Sequence, residues 1–539
     1  MKINYKNASV YLPIAFAIVL IIGIFVGKNI NSGLTLDQAL MPSNTNNPYN
    51  KLADIINYIE KDYVDPIDRE KLTSKAVMSI IEELDPHTSY ISQEEFNAVN
   101  DPLLGSFDGI GVQFNVIEDT IAIVQVIPGG PSEKSGIIAG DRITMVNDSL
   151  IAGVGITNNG AIRLLKGHRG TNVKVSVFRR GFPELINFDI IRNIIPTYSL
   201  DVAYMINDSV GYMKLNTFSA TTYAEFSEAG KKLKQQGVKN IILDLRGNTG
   251  GYVRPAVQIA DDFLADGKLI VYTKGNNRPK SSVYSKSNGL FETVNVIVLI
   301  DEASASASEI LAGAIQDNDR GTIIGRRSFG KGLVQEQLNF PDGSGLRMTI
   351  ARYYTPTGRS IQRAYGDGFD EYYNEFYHRY TNGELLSADS IKFADSLMYK
   401  TPGGKIVYGG GGIMPDLFVP IEMSNPIFYN VVINRGLAYQ FAFNYTDTHR
   451  EKLSKYKKPI DFIDSFEFTD EMYDEFVAFA ISNGADNNEA EINKSAIKLK
   501  SLIKAYIGRN ILDNDAFYPI FNKNDVVVIK AQNYLTSKK

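Results

Sequence analysis

Between residues 104 and 193 the apolar positions fall in short strand-like runs, clearest at 120–126 and 172–179, with Gly and Pro turns between them. That pattern predicts a compact, mostly β module. Before it, in the region 51–100, the spacing is helical: Ile55, Ile56, Tyr58 and Ile59, then Val77, Ile80, Ile81 and Leu84, with Asp65-Pro66 breaking the run into a helical pair. From 196 to 421, strands such as 240–245 and 294–300 alternate with helical segments such as 222–235 and 306–317, the signature of an α/β core. The remainder, 422–539, is a polar extension with helical patches at 470–481 and 489–506 and a final strand-like run at 525–529. No fixed-period repeat is present.

At the amino terminus, Lys2 and Lys6 precede an apolar run at 10–26, interrupted only by Pro13 and Gly23, and the next charge is Lys28. The run has no polar stripe, sits at the lower edge of spanning length and lacks an obvious Ala-x-Ala cleavage site, so residues 1–30 are expected to be a membrane anchor in preference to a cleaved signal. Positive charge ahead of the run keeps that end cytoplasmic and places the rest of the chain outside.

The length of 539 residues favours several domains, and 44% hydrophobic with 22% charged residues gives enough apolar material for packed cores. Fifty-six Lys and Arg against 61 Asp and Glu leave a net charge of -5, which disfavours nucleic acid as a partner. The absence of cysteine excludes disulfides, thiolate metal ligands and a cysteine nucleophile. Four histidines, His87, His168, His378 and His449, are not spaced as a metal site, and all four are expected at the surface.

The sharpest local feature is Asp301-Glu302-Ala303-Ser304-Ala305-Ser306-Ala307-Ser308-Glu309, between an apolar strand and an amphipathic helix. A tight strand-to-helix turn there puts hydroxyls where free amides and the helix dipole favour developing negative charge, as acyl transfer requires. Alone, the same residues make an ordinary N-cap. A serine nucleophile needs a base, and the nearby candidate is Lys331 in Gly330-Lys331-Gly332-Leu333-Val334-Gln335. An amine serves only if burial or neighbouring positive charge lowers its pKa, so desolvation is part of the chemistry. Gln335, four positions on, shares a face with Lys331 in strand or helix and is placed to orient it. Gly325 to Lys331 also matches the start of a phosphate-binding loop, but position 332 is Gly where a magnesium-binding hydroxyl belongs.

Asp244-Leu245-Arg246-Gly247-Asn248-Thr249-Gly250-Gly251 follows a strand, and its paired glycines allow close approach of an amide to a ligand, a second oxyanion donor beside Ala307; alone, the same residues make an ordinary turn. In the β module, Gly109, Ile110, Gly111 and Val112 form a glycine-freed loop just before a strand, suited to a peptide's terminal carboxylate.

Taken together these motifs, with Tyr353-Tyr354-Thr355-Pro356-Thr357-Gly358-Arg359 and Gly412-Ile413-Met414-Pro415-Asp416, resemble the carboxy-terminal processing, or tail-specific, serine proteases over about residues 51–421. The resemblance implies an α/β, crotonase- and ClpP-like ββα superhelix as the protease core at 196–421, with an inserted PDZ-like domain at 104–193. It also implies Ser306 as nucleophile, Lys331 as general base and Gln335 as its orienting partner, with oxyanion amides from Ala307 and from Gly250 or Gly251. It selects Ser306 over Ser304 and Ser308. The implied activity is ATP-independent endopeptidase action near protein C-termini in the cell envelope, periplasmic or otherwise extracytoplasmic, at the inner membrane, with no metal or organic cofactor. The insert at 364–408 and the extension 422–539 depart from the family pattern and leave a homo-oligomer open. A noncatalytic PDZ scaffold and a crotonase-like acyl-CoA enzyme are the alternative readings.

Overall fold

The computed structural model describes residues 51–537 apart from 287, 367 and 393, so the apolar run at 10–26 lies outside the described residues. The described residues 51–79 and those from 80 onward belong to two units. The first holds helix Lys51–Asp62 and most of helix Arg69–Glu82 on either side of the Asp65-Pro66 break, and Arg69 pairs with Glu60 and donates to Asn57 at 2.9 Å.

The second unit is built on a six-stranded sheet ordered Leu200–Asn207, Val210–Leu215, Asn240–Asp244, Asn295–Ile300, Thr322–Gly325, Leu417–Phe418, parallel except for its first pair. Its central strands are continuously apolar at 241–243 and 296–300 because both faces are covered. Ile241, Leu243, Val296, Val298 and Ile300 face one cluster with helices Thr222–Gln235, Val253–Phe263 and Ala307–Asp317. Ile242, Ile297 and Leu299 face the other, against Val527, Val528 and Ala531 of helix Val526–Ser537. A second sheet places Gly345–Tyr354 beside Leu333–Asn339, Leu269–Lys274 and Ser89–Ile91.

The β module is an antiparallel sheet ordered Val112–Ile117, Thr120–Val126, Arg142–Val146, Asn172–Phe178, Ile186–Ile191, with helix Asn158–Leu165 alongside. Strand Ser106–Gly109 pairs with Asn193–Pro196 where the chain enters and leaves it.

The segment 525–529 is not the expected strand. Asp525 accepts the amides of Val527 and Val528 at 2.9 and 3.0 Å, starting a helix whose valines pack on the sheet. Capping and burial outweigh the β preference of a Val-Val-Val-Ile run. The extension, polar in sequence, folds as helices around an aromatic core that includes Phe428, Phe441, Phe462, Phe476 and Phe517. It also touches the β module: Phe443, 1% exposed, packs on Ile117 and Ala122, and Gln125 donates to Asp513 at 3.3 Å. Phe443→Ser is therefore expected to cost about 3 kcal/mol at this contact. Hydrogen exchange should quicken about tenfold or more in 120–126 and stay unchanged in 240–244, whereas uniform quickening would mean that the whole chain had loosened.

Candidate active site

Ser306 stands between strand Asn295–Ile300 and helix Ala307–Asp317, with φ 56° and ψ -111°. A non-glycine residue in that region costs about 1–3 kcal/mol and persists only where its surroundings hold it. Here both flanking peptide groups are held. The Ser306 amide donates to Glu309 Oε2 at 2.8 Å, and the Ser306 carbonyl accepts from the Tyr353 hydroxyl at 3.1 Å. Gly250 seals the turn: a Cβ there would lie 2.8 Å from Ala305 O and 2.8 Å from Ser306 Cβ.

The same two side chains grip the Lys331 loop. Glu309, fully buried, also accepts the Ser328 hydroxyl at 2.5 Å and the amides of Gly330 and Lys331 at 2.7 and 2.9 Å. Tyr353 reaches the Lys331 carbonyl at 2.8 Å. Burial pushes the Glu309 carboxyl up, and the bonds from Ser328, Lys331, Gly330 and Ser306 oppose that rise. The helix end is fixed by Arg359, whose guanidinium donates to Asp317 and Gln316 at 2.7 Å each in a fully buried cluster.

Lys331 Nζ donates to Gln335 Oε1 at 2.9 Å, and Gln335 Nε2 donates to the His87 carbonyl at 2.6 Å. Burial lowers the Lys331 pKa below its ordinary 10.5, and the charge of Arg347 lowers it further, against smaller opposing effects of Asp85 and Glu309. Among the described residues, Ser306 Oγ and Lys331 Nζ make no hydrogen bond to each other. Such contacts are often long in unliganded sites and tighten on the substrate.

Of the expected oxyanion donors, the Gly250 amide is engaged, donating to Asn248 Oδ1 at 2.9 Å. Among the described residues the Ala307 and Gly251 amides donate to no group. Asn248 itself is anchored by its amide nitrogen to the Leu215 carbonyl at 3.1 Å.

His87 is not the surface residue the sequence suggested. It is half-buried, its Nε2 lies 2.9 Å from the Tyr372 hydroxyl, and burial followed by the charge of Lys331 pulls its pKa down to about 3. Only the tertiary fold joins positions 87 and 335, so no local signal marks it. Glu309 did have one: Ser306 and Glu309 have the Ser-x-x-Glu spacing of a capping box. Among the described residues no cluster of three or more His, Asp or Glu could hold a metal.

In the β module, Gly109 pairs with Asn193, and the Ile110 carbonyl is tied by the Ser132 amide and hydroxyl at 3.0 and 2.7 Å. Gly111 turns at φ 79°, where a Cβ would lie 3.0 Å from Ile195. Val112 then opens the terminal strand of its sheet, which pairs on one side only. A rigid loop leading into an open strand edge suits capture of an extended peptide.

The chain matches known peptidases. Residues 209–369 match peptidase family S41, 109–190 a PDZ domain, and 428–513 a family of unknown function. The carboxy-terminal-processing protease of Bartonella bacilliformis is 35% identical over 348 residues, 63% of this chain and 78% of that one. The carboxy-terminal processing protease CtpA of Bacillus subtilis is 33% identical, covering 58% of this chain and 67% of that one. A solved photosystem II D1 C-terminal processing protease aligns at 26% identity over 69% of this chain and 87% of that one, with a TM-score of 0.37. The chain belongs to the carboxy-terminal processing serine proteases of peptidase family S41. Among the described residues no helix is long and apolar enough to cross a membrane.

Proposed function

We propose that the enzyme is an ATP-independent endopeptidase that cuts near exposed or unfolded C-termini of proteins outside the cytoplasm, tethered at the membrane by the run at 10–26. Neutral Lys331 takes the proton from Ser306 Oγ as that oxygen attacks a peptide carbonyl. The amides of Ala307 and Gly251 receive the negative oxygen. Protonated Lys331 returns its proton to the leaving amine, and water, deprotonated by the same lysine, clears the ester. Gln335 orients the amine throughout, and no step calls for a metal or organic cofactor. The loop at 109–112 and the open edge of Val112–Ile117 take the substrate's tail.

The observation that carries this reading is the double bridge. One buried carboxylate and one buried phenol each hold the Ser306 backbone and the Lys331 backbone, so the strained serine and the desolvated lysine are fixed together. The test is incubation of the purified protein, without nucleotide, with an unstructured peptide ending in apolar residues and a free carboxylate. Cleavage that falls about tenfold or more in kcat/KM when the terminal carboxylate is amidated is expected. Binding without cleavage would point to a scaffold instead, and indifference to the peptide with thioester turnover to an acyl-CoA enzyme.

A further inference from the structure

The Gln335 amide has two possible orientations, and only one lets its oxygen face Lys331. Its partners decide between them. The His87 carbonyl only accepts, so it takes Nε2, leaving Oε1 for the lysine, which donates. The amide flip is therefore set by the position of a main-chain oxygen 248 residues away in sequence.

That oxygen sits in a turn at 85–88 clamped from two sides. On the inner side Asp85 Oδ1 accepts the amides of His87 and Thr88 at 2.9 and 3.0 Å and the Thr349 hydroxyl at 3.1 Å, and Oδ2 accepts the Thr88 hydroxyl at 2.5 Å. Thr349 lies opposite Gln335 in the strand pair, so the turn is clipped to the sheet directly across from the amide. On the outer side is the insert helix Phe369–Thr381. The Tyr372 hydroxyl lies 2.9 Å from His87 Nε2 with the rings edge to face at 5.2 Å, and the Tyr373 hydroxyl donates to the Pro86 carbonyl at 3.2 Å.

The insert helix is itself anchored to the loop that carries Lys331. Arg379 donates to the carbonyls of Ser328 and Arg327 at 3.0 and 2.6 Å, and Glu384 accepts from both Arg379 and Arg327. Arg363 lies between the rings of Phe329 and Tyr372, 4.4 and 4.1 Å from their centroids, and pairs with Glu375. The insert thus touches both ends of the Lys331–Gln335 pair. Burial keeps the His87 ring neutral, so the imidazole adds no charge beside the lysine; Asp85, Lys331 and Arg363 are the titratable groups around it.

We infer that Tyr372 is a positioning residue for the proteolytic reaction, acting through the turn at 85–88 to hold the Gln335 amide in the one orientation that presents its oxygen to Lys331. The inference rests on the proposed role of Gln335. Through Tyr372 the insert at 364–408 fixes the base from outside the core.

A double-mutant cycle in the full chain tests it, with kcat and KM measured on the unstructured peptide for wild type, Tyr372→Phe, Gln335→Ala and the pair. Tyr372→Phe keeps the ring and its packing. It should lower kcat about threefold to tenfold with KM unchanged, yet by less than about 1.5-fold in the Gln335→Ala background. An equal loss in both backgrounds overturns the inference, because the phenol would then act on the fold at large. No loss in wild type overturns it as well. If Gln335→Ala alone leaves kcat unchanged, the role of Gln335 falls and takes this inference with it, whereas a loss in Gln335→Ala without coupling defeats the inference alone.

Discussion

Ser306→Ala and Lys331→Ala are each expected to lower peptide turnover about ten-thousandfold or more, and the double variant to be no worse than either, because nucleophile and base act as one unit. Lys331→Arg should be equally inactive, since a guanidinium keeps its proton and cannot serve as the base. Sign follows from the direction of the lysine shift. Burial, with the charge of Arg347, sets the native pKa below 10.5, so the neutral amine is present above that lowered value and activity falls as pH drops through it. Stability is linked in the same sense. Between the native pKa and 10.5 the unfolded lysine holds the proton that the native one has released, so this group's contribution to stability rises with pH across that window. Lys331→Met, which abolishes the deprotonation cost at neutral pH, should be inactive and no less thermostable than wild type. Turnover close to that of wild type in Ser306→Ala or Lys331→Ala would remove the proposed site.

Features set by neighbours in sequence were legible. The strand–turn–helix around Ser306 announces itself because an apolar run, small hydroxyl residues and an amphipathic segment follow one another directly, and the structure has strand Asn295–Ile300 and helix Ala307–Asp317 there. The Lys331 to Gln335 spacing likewise brings the two side chains to 2.9 Å. Failures came where distant chain decides. The run 526–529 is β-branched throughout, and although Asp525 ahead of it is a capping residue type, nothing local says that the back of a sheet will bury its valines. Thr120–Val126 carried a signal that was open to interpretation: Ile121 and Ile123 alternate with Ala122 and Val124, so neither face is polar. A strand apolar on both faces demands two covers, and the second is Phe443 and Tyr439 from the extension. The polar insert at 364–408 announced no packed unit because its buried positions mix Tyr372, Arg379 and Glu384 with the scattered aliphatic Leu385 and Val407. Arg379, 1% exposed, is paired with Glu384 inside it.

Glu309→Ala is the second substitution expected to have a large effect, and here stability falls together with rate. Oε1 receives the Ser328 hydroxyl and the Gly330 amide, and Oε2 receives the amides of Ser306 and Lys331. Deleting the carboxylate leaves buried donors without acceptors, at about 1–3 kcal/mol each, so a loss on the order of 4 kcal/mol or more is expected. Ser306 would also lose the bond that holds its amide, and with it the alignment to Lys331, so kcat should drop about a thousandfold. Glu309→Gln separates charge from shape. Whichever way that amide turns, its NH2 must face one pair of former donors. Facing Ser306 and Lys331 it opposes two amides; facing Ser328 and Gly330 it opposes one amide and a hydroxyl that can rotate. The second flip costs less, so Gln is expected to fold near wild-type stability, within about 1–3 kcal/mol, while retaining a measurable fraction of activity. Thermal melts with kcat on the same preparations decide the matter. Wild-type kcat in Glu309→Ala would show that the serine turn and the lysine loop hold their places without the carboxylate between them.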